Sequence, residues 1–194
     1  TKAQKHILDI ANALNPNITV EFVDGLESNG KFVRSQNKIL IKSDLSTTQM
    51  YVEVLKHEFM HSLETRQSYN KFFDYCFNKS KSFEQYIRSL VKYLDSNIDV
   101  ENMTRESVFN FYTEYKYNQY KNSEAIPQKD RDAFTMENAR EEIIADFFAE
   151  VLFQGEQYRE RIVSALENSD VEALQDIGDE ISSENALLEL KQKE

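Results

Sequence analysis

The chain has 194 residues, with 34 acidic against 23 basic side chains, a net charge of -11, 40% hydrophobic residues, four Gly and two Pro. This is the composition of a folded, helix-rich chain with room for one sizeable core, not of a disordered one. An anionic surface repels phosphate backbones, which argues against nucleic acid as a partner, and apolar runs of only a few residues argue against a membrane span.

In chain order, Ile7, Leu8, Ile10, Ala11 and Leu14 recur at helical spacing over residues 2–14, and Asn15-Pro16-Asn17 stops that helix. Residues 18–23 alternate and are rich in β-branched side chains, which predicts a strand. Asp24-Gly25 and Asn29-Gly30 are turn signals, and Lys31–Arg34 and Lys38–Lys42 predict two more strands joined around Ser35-Gln36-Asn37. From Ser46 the pattern is helical almost to the end, with helices expected over 47–66, 68–79, 82–95, 104–121, 134–154, 157–167 and 170–190. Asn122 to Asp132, with Pro127, is the clearest internal loop. The expected fold is α+β, mostly α: a small N-terminal antiparallel sheet packed on the 47–66 helix, followed by a helical subdomain. Residues 1–155 are expected to form the main domain, divided into 1–66 and 67–155, with 156–194 as a C-terminal helical extension packed on it.

One cysteine, Cys76, rules out an internal disulfide; a buried hydrophobe is its expected role, and a reducing compartment such as the cytoplasm fits, as does a cysteine-poor secreted protein. The chain begins at Thr1 without a signal peptide, so it is expected to be part of a longer polypeptide. Residues Glu150 to Gly155 look like a viral-protease processing site but continue a helical pattern, and are read as native.

The chemistry concentrates in His57-Glu58-Phe59-Met60-His61. Histidines four residues apart on a helix are separated by about 400° of turn, so both imidazoles lie on one face and can bind one ion. Neutral imidazole suits zinc. Glu58 is rotated about 100° from His57, which places a carboxylate beside the ion instead of on it. Tyr51, Val52, Leu55, Phe59 and Leu63 form the apolar back of the same helix, and the histidines lie opposite, beside Met50 and Val54. Without a metal, this would be an ordinary helix bearing two histidines.

A catalytic zinc takes three protein ligands and keeps one position open. The only other histidine is His6, far upstream, and position 67, where the metzincin pattern needs a histidine, is Gln67. The third ligand is therefore expected to be a carboxylate. In Arg140 to Glu150, Glu142, Ala145, Asp146 and Ala149 share a stripe, with Ile143, Ile144, Phe147, Phe148 and Val151 on the other side. Small alanines beside a carboxylate allow a neighbouring helix to come close. Glu142 could then reach the metal, and Asp146, one turn later, could accept a hydrogen bond from a histidine ligand. Taken alone, the same acids are also what the wet face of an amphipathic helix would carry.

HExxH at 57–61 followed by Glu142-Ile143-Ile144-Ala145-Asp146 resembles the gluzincin branch of the zinc metallopeptidases. The resemblance covers 38–64 and 137–155. It implies a zincin-like fold, Zn2+ on His57, His61 and Glu142, Glu58 as general base, and a peptide or protein as substrate. It also implies that the strand 38–42 is the edge strand that pairs with extended substrate. The stretch from that strand to Glu64 also resembles peptidase-like domains of phage and mobile-element proteins of Gram-positive bacteria. Asp146-Phe147-Phe148-Ala149-Glu150 repeats the acidic pattern one turn later; Glu142 is preferred because glutamate is the usual ligand in that branch. The family's oxyanion-stabilising tyrosine or histidine has only Tyr112, Tyr115, Tyr117 and Tyr120 as candidates, all on a helix where tyrosines also serve packing. Glu64 shares the histidine face and could serve the metal site or a surface ion pair. The alternative to a peptidase is a catalytically weak or inactive module of the same build, kept for structure or partner binding in a larger phage or mobile-element protein.

Overall fold

The computed structural model describes residues 1–15, 17–152 and 162–193. The observed architecture is α+β and mostly α, with a three-stranded mixed sheet. The chain divides into two compact units, residues 1–72 with 148–194, and residues 73–147.

In the first unit, α1 (Lys2–Leu14) starts at Thr1, whose hydroxyl accepts from the Gln4 amide at 3.1 Å, and buries Ile7, Ile10, Ala11 and Leu14. Strands β1 (Thr19–Val23), β2 (Gly30–Val33) and β3 (Lys38–Lys42) follow. Their order in the sheet is β1-β3-β2. β2 pairs antiparallel with β3, while β1 pairs parallel with β3, Thr19 against Lys38 through Val23 against Lys42. The sheet is thus mixed and not antiparallel throughout, and β3 is its central strand and not an edge. β3 carries the densest apolar run, Ile39-Leu40-Ile41, with Ile39 and Ile41 fully buried. Placing it between two partners satisfies its backbone on both sides and leaves the less buried β1 and β2 as the edges. Between β2 and β3, Arg34–Gln36 forms a 3-10 turn closed by Asn37 in the left-handed region, φ 47°.

Helix α2 (Thr48–Ser62) begins at Thr47, whose side chain accepts from the Met50 amide. It packs on α1, β2 and β3. Tyr51, Val52, Leu55, Phe59 and Leu63 are buried as the wheel predicts, and so are Lys56, Glu58 and Met60, so that most of the helix circumference is covered. At Gly30, β2 comes so close to α2 that an added methyl would stand under 3.0 Å from Val54 Cγ1 and 3.2 Å from Glu58 Cγ. The last elements of this unit are a π-helical turn at Phe148–Leu152, α8 (Ile162–Glu167) and α9 (Glu172–Lys193). Arg66 ties the end of α2 to α9 through Glu184 at 2.8 Å and Glu180 at 3.1 Å.

The second unit holds the second half of α3 (Gln67–Asn78), then α4 (Lys81–Leu94), α5 (Arg105–Lys121), α6 (Gln128–Ala133) and α7 (Met136–Phe147). Helix α6 lies inside the stretch expected to be loop: Pro127 precedes its first residue, a position where proline suits a helix start. The core is aromatic. Phe83 sits 5.0 Å from Phe77, 5.4 Å from Phe109 and 5.1 Å from Phe147, ring centre to ring centre. Cys76 is fully buried among these helices. Arg105 satisfies the carbonyls of Cys76, Phe77 and Ser80 at the end of α3 and pairs with Glu84. Among the described residues, no helix is long and apolar enough to cross a membrane. The processing-site look-alike extends past Leu152, and its last residues, like the start of the expected 157–167 helix, lie outside the described residues.

Candidate metal centre

His57 and His61 occupy successive turns of α2, both half-buried, and their Nε2 atoms stand 3.1 Å apart. Two nitrogens bound to one zinc at about 2.0–2.1 Å in tetrahedral geometry are separated by roughly 3.3 Å. The pair therefore converges with the spacing that one shared ion demands. Glu142 of α7 completes the group: one ligand atom from each of His57, His61 and Glu142 lies within 4.8 Å of the others. Three half-buried donors of this kind could hold a metal ion and would leave a coordination position open. Two imidazoles and one carboxylate are donors that suit zinc. His6 is on α1 and is not part of this group.

Glu64, just past α2, reaches back so that Oε1 meets His61 Nδ1, and Oε2 accepts from Arg34 Nη2 at 3.0 Å. A carboxylate only accepts, so Nδ1 carries the proton of this contact, which leaves Nε2 as the ring nitrogen available to a metal. Glu64 thus serves both readings of it at once, as partner of a candidate ligand and as half of an ion pair. The i,i+3 spacing from His61 is the signal that put it in range. Nothing in sequence distance linked Arg34 to it.

Asp146 lies one turn further along α7. Its carboxylate accepts from Lys116 of α5 at 3.1 Å. Burial pulls the Lys116 ammonium down, but Asp146, Tyr112 and Glu142 together outweigh it and hold the group above its ordinary value. Lys116 is a cation between two carboxylates of α7, and sequence reasoning did not single it out. The repeat of the acidic pattern runs into the π-helical turn at Phe148–Leu152. That change of pitch breaks the 3.6-residue stripe that would otherwise align Asp146 with Glu150. Ala145 and Ala149 are both buried, as the small-residue stripe predicts.

Glu58 is 7% exposed, on the turn of α2 that faces Gly30 of β2. Of the four tyrosines on α5, Tyr112 is buried and stacks on Tyr115 at 5.9 Å, while Tyr117 and Tyr120 stack on Phe134. Burial pushes the Tyr120 hydroxyl up, and the negative charges of Asp130 and Glu142 add to it. Comparison with known proteins gives no match: no family model, no curated protein and no solved structure is significantly similar to this chain.

Proposed function

We propose that this chain is a zinc-dependent endopeptidase. The observation that carries the reading is the convergence of His57, His61 and Glu142 into one donor group, with Glu58 buried one residue along the same helix. His57, His61 and Glu142 would hold the ion. Zinc, when bound, would supply a Lewis acid that polarises the scissile carbonyl and lowers the pKa of a water towards about 7.

The rest of the chemistry falls to the chain. Glu58 takes the proton of the attacking water and delivers it to the leaving amine. Its burial keeps bulk water from competing for that proton. Substrate would lie along β2, the edge strand beside α2, where an extended peptide can add itself to the sheet by backbone hydrogen bonds. Gly30 is what lets that strand approach Glu58 so closely. Tyr112, Tyr115, Tyr117 and Tyr120 of α5 are the candidates for donating to the developing oxyanion.

The test is Glu58→Gln, which keeps size and hydrogen bonding but cannot take the proton. Zinc content and melting temperature are expected to stay near wild type while cleavage of casein or a peptide library falls by at least about 10². A wild-type protein that binds zinc and cleaves nothing, or a glutamine variant as fast as wild type, refutes the mechanism. The first of these outcomes points to a binding module of the same build.

A further inference from the structure

We propose that Arg34 is a positioning residue for the metal site, acting through Glu64 on His61; this rests on the reading of His57, His61 and Glu142 as metal ligands. Arg34 opens the 3-10 turn between β2 and β3, 14 positions before α2 begins at Thr48. One nitrogen, Nη2, donates both to Glu64 Oε2 at 3.0 Å and to the backbone carbonyl of His61 at 3.3 Å. The guanidinium also lies 5.5 Å from the centre of the Phe32 ring, which limits its swing. Glu64 in turn holds His61 Nδ1. The result is a chain of contacts, Phe32 to Arg34 to Glu64 to His61, that runs from the sheet to a candidate ligand.

The geometry explains why two residues are needed. Leu63 and Glu64 follow the last helical residue, Ser62, so the carboxylate stands on backbone past the helix end and not on a rigid turn. The His61 carbonyl lies in the last turn of the helix, where it accepts from the Glu64 amide at 3.3 Å, and Arg34 adds a second donor to it. By binding both, Arg34 holds the helix end and the carboxylate in one place, and the imidazole is held with Nε2 directed at His57. Glu64 is 15% exposed and Arg34 49%, so the ion pair alone is a weak stabiliser; its effect is on where Glu64 stands.

The experiment measures zinc affinity by chelator competition for wild type, Arg34→Ala, Arg34→Lys, Glu64→Gln and the double variant Arg34→Ala/Glu64→Gln. Glu64→Gln is expected to weaken zinc by about 10- to 100-fold. Arg34→Ala is expected to weaken it by about 2- to 5-fold in wild type and not further in the Glu64→Gln background, with Arg34→Lys between the two. An Arg34→Ala effect of equal size in both backgrounds, or none in wild type, overturns the proposal. Nitrogen-15 shifts of the His61 ring in the metal-free protein give a second readout. They should show the proton on Nδ1 in wild type and a mixture of tautomers in Arg34→Ala and Glu64→Gln. If wild type takes up no zinc, the metal reading fails, and the ring shifts still decide whether Arg34 orders the imidazole; unchanged shifts in both variants overturn the positioning role.

Discussion

Replacing Gly30 by alanine tests the close approach of β2 to α2. Gly30 does not have a positive φ, so alanine fits the backbone and the effect comes from the methyl group alone. That methyl would lie under 3.0 Å from Val54 Cγ1, 3.2 Å from Glu58 Cγ and 3.3 Å from the Leu40 carbonyl oxygen. Carbon atoms prefer about 3.5–4.0 Å, so Val54 must retreat by roughly an ångström and Glu58 by a few tenths. Overpacking of this kind costs about 1–3 kcal/mol, and the glycine's lost freedom in the unfolded chain returns about 0.4–1 kcal/mol. The net destabilisation is about 1–2 kcal/mol, or about 2–8 °C in melting temperature for a chain of this size. Peptide cleavage should fall more than stability does, because a displacement of about 1 Å near the reacting groups can cost about 10²-fold. Thermal unfolding of Gly30→Ala, Val54→Ala and the double variant measures the clash directly. The double variant should recover at least about 1 kcal/mol relative to the sum of the singles. A Gly30→Ala protein as stable as wild type, or a cycle with no coupling, refutes the close-packing argument.

Glu142→Ala should lower zinc affinity sharply, whereas Asp146→Ala should lower it by about 10- to 100-fold; zinc titration decides, and the opposite order would mean that Asp146 is the ligand. Burial pushes the Cys76 thiol well above its ordinary value despite the pull of Arg105, so it should react with thiol reagents at the rate of unfolding and not before, as time courses with and without denaturant would show. Burial raises the Glu84 carboxyl, but its bonds to Arg88 and Arg105 outweigh that and hold it below its ordinary value. A depressed carboxyl contributes stability that is present above about pH 4.3 and is lost as pH falls through the folded value. Glu84→Gln should therefore flatten the acid side of the stability profile, and an unchanged profile by pH-dependent denaturant unfolding would exclude the network.

The local elements were legible in the sequence because they depend on near neighbours. Thr1, Thr47, Ser80 and Thr104 each cap a helix that begins where the apolar spacing starts. The strands 18–23, 31–34 and 38–42 appear within a residue or so of their expected ends. His57 and His61 converge because four residues are about one helical turn, a fact of backbone geometry that needs no tertiary contact. The fall of the apolar back of α2 on Tyr51, Val52, Leu55, Phe59 and Leu63 follows from the same period.

What lies far apart in sequence could not be read that way. Whether β1 joins β2 or β3 depends on which strand best satisfies two neighbours, and the apolar β3 took the centre, turning an expected antiparallel sheet into a mixed one. The same choice left β1 and β2 as the edges, with Gly30 of β2 next to Glu58. Of the acids on α7, Glu142 belongs to the donor group, and Asp146 pairs with Lys116, 30 positions away on another helix. Arg34 joins Glu64 only because the β2–β3 turn closes over the end of α2. A periodic pattern records which face of an element is buried; it carries no record of which other element will cover that face, because that is decided by the packing of the whole chain.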